Sequence, residues 1–228
     1  MFDWISKRKA SSASSGLGTE MPMVPTGQGG FFVGTHVASN LGWRVVEALS
    51  VGDKVLTFDH GMQVITELHR GTIQINDENP VDPQFPMFVP KDALHNRVPM
   101  WVMPDQGILV ESDLAEDAQG DPFVVVPACA LEGYRGIHRA PVGQQFDVVA
   151  PRFAQDEVIY LEAGLLGFSA RPVSILEDAG PRGVLYRVLE QDTARELIEK
   201  MIADESFWAA DVPAGLGRQG EAQFVSVL

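Results

Sequence analysis

The chain has one cysteine, Cys129, so it forms no internal disulfide and no cysteine-rich zinc site. Positive charge is scarce. Seventeen Lys and Arg stand against 31 Asp and Glu, a formal net charge of -14. Such a chain repels phosphate backbones and anionic lipid surfaces, so no nucleic-acid partner is expected. No apolar run approaches the roughly 20 residues that cross a bilayer, so no membrane span is expected. The basic start, Met1 to Lys9, runs into Ser, Gly and Pro instead of the apolar segment of a secretory signal. The cytoplasm is therefore the default location, which a single thiol fits, and signal-independent secretion is the alternative. The histidines and carboxylates show no ligand spacing, so neither a metal nor a cofactor is expected.

What is abundant is apolar surface. At 45% of 228 residues it supplies a substantial core, enough for one large domain or a domain with an appendage. Ala10 to Gly30 is rich in Ser, Gly, Pro and Thr, which reads as a flexible leader over residues 1–29. Phe31 to Ser39 reads as a strand with a glycine kink, and Asn40-Leu41-Gly42 as a turn. Trp43 to Leu49 reads as a short strand and a helical turn. Lys54 to Phe58 and Met62 to Leu68 read as strands joined by Asp59-His60-Gly61, the glycine supplying a positive φ.

Pro80, Pro83, Pro86 and Pro90 mark Gln74 to Arg97 as a loop with no room for a central strand or long helix. Val98 to Met103, Ile108 to Glu111, Pro122 to Val126 and Glu157 to Glu162 read as further strands. Many short strands and little helical periodicity before Pro172 predict an all-β architecture. Beyond it, Thr193-Ala194-Arg195-Glu196 has the form of a capping box. Leu197, Ile198, Met201 and Ile202 follow at helical spacing, which predicts an amphipathic helix near 193–205 within an extension covering 171–228. Its apolar stripe is expected on the β body or on another chain.

Two stretches carry a resemblance. One is Gly30-Phe31-Phe32-Val33-Gly34-Thr35-His36-Val37-Ala38-Ser39. The other is Val46 to Gly61, VEALSVGDKVLTFDHG. Together they resemble the opening Cys-Phe-x-x-Gly-Thr-x-Ile-Ala-Thr and the Val-Glu-x-Leu-x-Val-Gly-Asp-x-Val-Leu-Thr-x-Asp-x-Gly of the Hint (Hedgehog/intein) domain, in its bacterial, alphaproteobacterial branch. Pro90 to Asn96, Val102 to Leu109, Val126 to Leu131 and Phe153 to Tyr160 are similar to later segments of the same family. The resemblance spans roughly residues 30 to 170 and implies a Hint-like β domain.

The resemblance also implies a chemistry: an N-to-S or N-to-O acyl shift. A Cys or Ser at the first position attacks the preceding carbonyl, and histidines polarise it and protonate the leaving amine. Here the nucleophile position is Gly30, the Pro-x-His histidine falls at Gln106, and the closing histidine at Asp156. Glutamine donates a hydrogen bond but does not shuttle protons. Gly30, Thr35, Gln106 and Asp156 are thus vestigial cleft positions, and no catalytic residue is assigned.

Other candidates read as structural. Cys129 lies mid-domain and reads as a small buried group. Thr35 and His36 are adjacent on a strand and point to opposite faces. His60 reads as solvated in its turn, Asp53 and Asp59 as turn formers, and His69, His95 and His138 as scattered. Asp105, Gln106, Asp113 and Asp156 are expected to approach one another as an acidic rim around the old cleft. Glu116 to Asp121 reads as an acidic hairpin loop, and Ser50 and Ser112 lack a hydrolase elbow. The expectation is a Hint-like module without self-cleavage that meets another protein through its leader or C-terminal helix. The alternatives are residual autoprocessing and a module of a bacterial secretion or surface system.

Overall fold

The computed structural model describes residues 29–74, 85–139, 145–172 and 186–211. Its strands are Phe31–Phe32 (β1), His36–Ser39 (β2), Gly42–Val45 (β3), Lys54–Thr57 (β4), Gly61–Val64 (β5), Glu67–Gln74 (β6) and Met87–Val89 (β7). They continue with Met100–Val102 (β8), Gly107–Glu111 (β9), Phe123–Pro127 (β10), His138–Arg139 (β11), Gln145–Arg152 (β12), Glu157–Leu161 (β13) and Leu165–Ser169 (β14). One helix, Gln191–Asp211 (α1), follows. The all-β reading with a C-terminal helix holds.

The largest sheet runs β10-β9-β14-β13-β2-β4-β5, with β3 attached to β2. Two three-stranded sheets, β1-β12-β6 and β11-β7-β8, pack against it. The main core lies between them, with Val37, Val55, Ile65, Met87, Val124, Ile159 and Leu161 fully buried. Burial of each such side chain contributes about 2 kcal/mol.

The β4–β5 hairpin forms as its turn residues predict. Thr57 pairs with Gly61, which has φ 64°, and the Thr57 hydroxyl donates to the Gly61 carbonyl and accepts from the His60 amide. Two segments read as single strands are instead pairs that change sheets. Phe31 to Ser39 breaks at Val33-Gly34-Thr35, where the Thr35 amide returns to the Phe32 carbonyl, so β1 joins β12 while β2 joins the large sheet. Met62 to Leu68 breaks at Ile65-Thr66. The Ile65 amide bonds Asp53 and the Thr66 amide bonds Arg152, one on each side of the crossing.

The proline-rich stretch yields a correction. Met87–Val89 is the central strand of the β11-β7-β8 sheet, fitted between Pro86 and Pro90 so that neither proline enters its ladder. Residues 75–84 of that stretch lie outside the described residues. The longest ladder, β6 with β12, was not legible as a strand at 145–152. Its Pro151 sits beyond β1, whose pairing ends at Val149.

Helix α1 also starts earlier than the capping box suggests. The Ala194 amide bonds the Glu190 carbonyl, so Thr193 lies inside the first turn. Its stripe of Ala194, Leu197, Ile198 and Met201 is buried against the Ala128–Leu131 turn and β10. Arg195 reaches the Glu132 carbonyl at 2.5 Å, and Arg135 pairs Glu205 at 2.6 Å. The apolar stripe is therefore occupied by the chain's own core. Among the described residues no helix is long and apolar enough to cross a membrane.

Candidate functional site

Gly29 and Gly30 enter the fold along β12, immediately before β1. Gly30 has φ 87°, a conformation that L side chains rarely adopt. A Cβ there would stand 2.9 Å from both the Val149 carbonyl oxygen and the Ala150 Cβ. This conformation leaves no room for a side chain at residue 30.

The Pro104-Asp105-Gln106 turn packs beside Gly29. Gln106 is 1% exposed, and its amide nitrogen donates to the Gly107 and Phe168 carbonyls at 2.9 and 2.8 Å. The Gln106 side chain therefore ties β9 to β14. Its carbonyl oxygen has no hydrogen-bond partner among the described residues. Asp105 lies against Gly29, its carboxylate accepting the Gly29 amide. A Cβ on Gly29 would come within 2.8 Å of both Asp105 oxygens. Burial raises the Asp105 pKa, opposed by the backbone amides and the Arg152 charge.

Cys129 proves spatially close to this turn, although it is remote in sequence. Its amide donates to the Pro104 carbonyl at 2.9 Å. Burial pushes its thiol up, and the nearby Asp105 charge adds to this against the opposing pull of Arg139. The site thus favours the thiol over the nucleophilic thiolate.

Thr35, His36, Asp156 and Asp113 do not gather at this turn. Thr35 is buried, while the His36 ring is half-exposed and faces Glu162 at 3.3 Å. Asp156 accepts the Arg171 amide at 2.8 Å. Asp113 lies exposed past the far end of β9, a strand's length of roughly 15–20 Å from Gln106. The expected convergence of Asp105, Gln106, Asp113 and Asp156 does not occur, because β9 carries two of them to opposite ends. No group of three His, Cys, Asp or Glu side chains able to hold a metal occurs among the described residues.

A cleft of about 480 Å³ opens against Gly29, lined by Glu67, His69, Arg70 and Arg152 among others. Glu67 pairs His69 at 3.0 Å, and Arg70 donates to the Glu47 and Leu49 carbonyls. Among the described residues its lining includes no Cys, Ser, Thr, Lys or Tyr. Of the side chains that can act as nucleophiles, Glu67 and His69 line it, and the two are paired with each other.

His60, read as solvated, is tied into the fold. Its Nδ1 lies 2.9 Å from Glu157 Oε2, and Glu157 is fully buried. Gln155 donates to the other Glu157 oxygen at 3.0 Å. Next to it Asp59, read as a turn former, accepts the Tyr186 hydroxyl at 2.5 Å. The signal in the sequence was a carboxylate opening the apolar strand Glu157–Leu161, since a buried carboxylate needs donors. Asp53 does act as a turn former, accepting the Ser50 amide and Arg44. His69 and His138 make separate local contacts, and Ser112 caps the Leu114 amide. Asp117 folds its acidic loop by accepting the Gln119 and Asp121 amides.

Comparison with known proteins agrees with this architecture. The family model described as Hint domain matches residues 29–166. The chain belongs to that family. A solved structure of the AceL NrdHF class 3 split intein, a GSH-linked splice-inactive variant, is similar at 14% identity. The match covers 63% of this chain and 99% of that one with a TM-score of 0.33, a likeness too remote to bear on chemistry. A search of the curated proteins finds no match.

Proposed function

We propose that the chain is a Hint-type module that does not cut itself and serves as a structural or protein-interaction unit. The observation that carries this reading is Gly30. Its left-handed backbone and the 2.9 Å approach of Val149 and Ala150 leave no room for a side chain there, which supports reading it as the emptied nucleophile position. The anchoring of Gln106, the raised Cys129 thiol and the cleft lining support the same conclusion.

A partner protein using α1 meets its charged face, where Glu199 and Lys200 are exposed, because the apolar stripe is covered. The leader is the other candidate contact. The net charge of -14 supports a protein partner over nucleic acid. The wording of the motifs supports the bacterial branch of the family, and cell fractionation separates a cytoplasmic role from a secreted one.

Intact mass of the purified full-length chain, incubated with dithiothreitol or hydroxylamine, tests the proposal. One unchanged mass is expected. A reproducible thiol- or hydroxylamine-stimulated cut near Gly29-Gly30 overturns it in favour of residual autoprocessing.

A further inference from the structure

β9 and β14 are paired at one position, Ile108 opposite Gly167. Beyond it a cavity of about 170 Å³ opens, with Leu109 to Glu111 on one side and Gly164 and Leu166 on the other. Helix α1 closes one wall with Met201, and the Leu94-His95 loop and Tyr134-Arg135 close the rest. None of these residues lines the cleft at Gly29.

Backbone strain gathers at this place. Five non-glycine residues among those described have positive φ: Asp92, His95, Arg135, Glu162 and Ala163, between 43° and 68°. His95 and Arg135 line the cavity. Glu162 and Ala163 form the turn that delivers Gly164 to it, and Asp92 belongs to the His95 loop. The pieces interlock. Arg135 donates to the Ala93 carbonyl, the Arg97 amide bonds Glu162, and a Cβ on Gly164 would run into the His95 carbonyl oxygen. Strained conformations persist where the surroundings over-determine them, and they concentrate at binding sites.

The lining states what would fit. Leu109, Phe123 and Leu166 make an apolar wall on the face of the sheet that Glu111 shares, while Ile108, Val110 and Met201 line the cavity from the main-core face. The Arg135 guanidinium is already neutralised by Glu205. The Glu111 carboxylate, at the rim, has no hydrogen bond or ion pair among the described residues. The free charge at the mouth is therefore negative. A cavity of about 150 Å³ holds a benzene ring, so this one takes a compact apolar group of similar size.

We propose that this cavity binds a primary amine carried on a phenyl- or isobutyl-sized apolar body, the body against Leu109, Phe123 and Leu166 and the ammonium at Glu111. The amine belongs either to a free small molecule or to the amino-terminal residue of a peptide. Whether the chain cuts itself has no bearing on this cavity.

Titration calorimetry and saturation-transfer NMR on the full-length protein test it. The probes are phenethylamine, phenylalaninamide as the peptide-terminus mimic, and 3-phenylpropionate, which has the same body with the opposite charge. Either amine should bind at least about tenfold more tightly than the carboxylate, the margin of one charge-assisted contact. Stronger phenylalaninamide binding identifies the peptide source, and stronger phenethylamine binding the free amine. Glu111→Gln should remove the preference for the amines, and Leu166→Trp should abolish binding with circular dichroism unchanged. Equal affinity for amine and carboxylate, no binding at about 10 mM, or binding indifferent to both substitutions overturns the proposal. Should Leu166→Trp fail to fold, Glu111→Gln alone decides.

Discussion

Replacing Gly30 by alanine tests the refilling of the family's reactive frame most directly. Two costs add at this residue. The first is the left-handed φ of 87°, worth about 1–2 kcal/mol for a residue with a Cβ. The second is steric: the new methyl meets the Val149 carbonyl oxygen and the Ala150 Cβ at 2.9 Å, and both belong to β12, the central strand of its sheet. Relief requires β1 and β12 to separate by several tenths of an ångström, which costs about 1–2 kcal/mol more. Gly34 isolates the first cost, since its φ is 92° and a Cβ added there would meet nothing within 4 Å. Gly34→Ala should therefore lose about 1–2 kcal/mol and Gly30→Ala about 2–4 kcal/mol. For a domain of this size the larger loss lowers Tm by roughly 5–15 °C. Urea unfolding followed by tryptophan fluorescence reads both, with Trp101 in β8 packed 4.8 Å from Phe88 as a reporter. Gly30→Cys should suffer the same penalty and release no thiol-dependent fragment. A Gly30→Ala protein as stable as the parent, or a Gly30→Cys protein that cleaves, refutes the reasoning.

Two further outcomes are expected. His60→Ala should destabilise the fold by about 2 kcal/mol, because it leaves the buried Glu157 carboxylate with Gln155 as its remaining side-chain donor. Adding Glu157→Gln should recover much of that loss in a double-mutant cycle, and strict additivity of the two changes counts against the pairing. Alkaline pH should weaken the fold through two tyrosines. Burial and the Glu205 hydrogen bond push Tyr134 up to about 12, and burial with the Asp59 hydrogen bond raises Tyr186 further. Both folded values lie above the unfolded one, so their contribution is complete below about pH 10 and is lost as pH rises beyond it. Tyr134→Phe with Tyr186→Phe should flatten the decline in urea midpoint above that pH, and an unchanged slope contradicts the assignment.

Local chemistry was legible where neighbours in sequence settle it. The Asp59-His60-Gly61 turn, the Val51-Gly52-Asp53 turn and the short strands around them follow from glycine φ, carboxylate-to-amide bonding and alternation. The identities of Gly30, Gln106 and Asp156 were equally plain, because a residue's type limits its chemistry wherever it lies. The β12 strand was masked by Pro151 and by burial on both faces, which erases a period of two. Met87–Val89 was hidden between prolines for the same kind of reason: a local rule excludes ladder positions, not the three residues between them.

The sequence determined on its own that the chain carries a Hint-type β frame and an amphipathic helix near its C-terminus. Only the tertiary structure decided which residues meet around Gly29 and Gly30. It brought Cys129 beside Pro104, set Asp105 on the Gly29 amide, and turned Gln106 into the core. It also buried Glu157 against His60 and gathered five strained residues around one cavity. Those pairings join residues up to about 100 positions apart, and distances across sheets depend on register and sheet crossing, which no local pattern encodes.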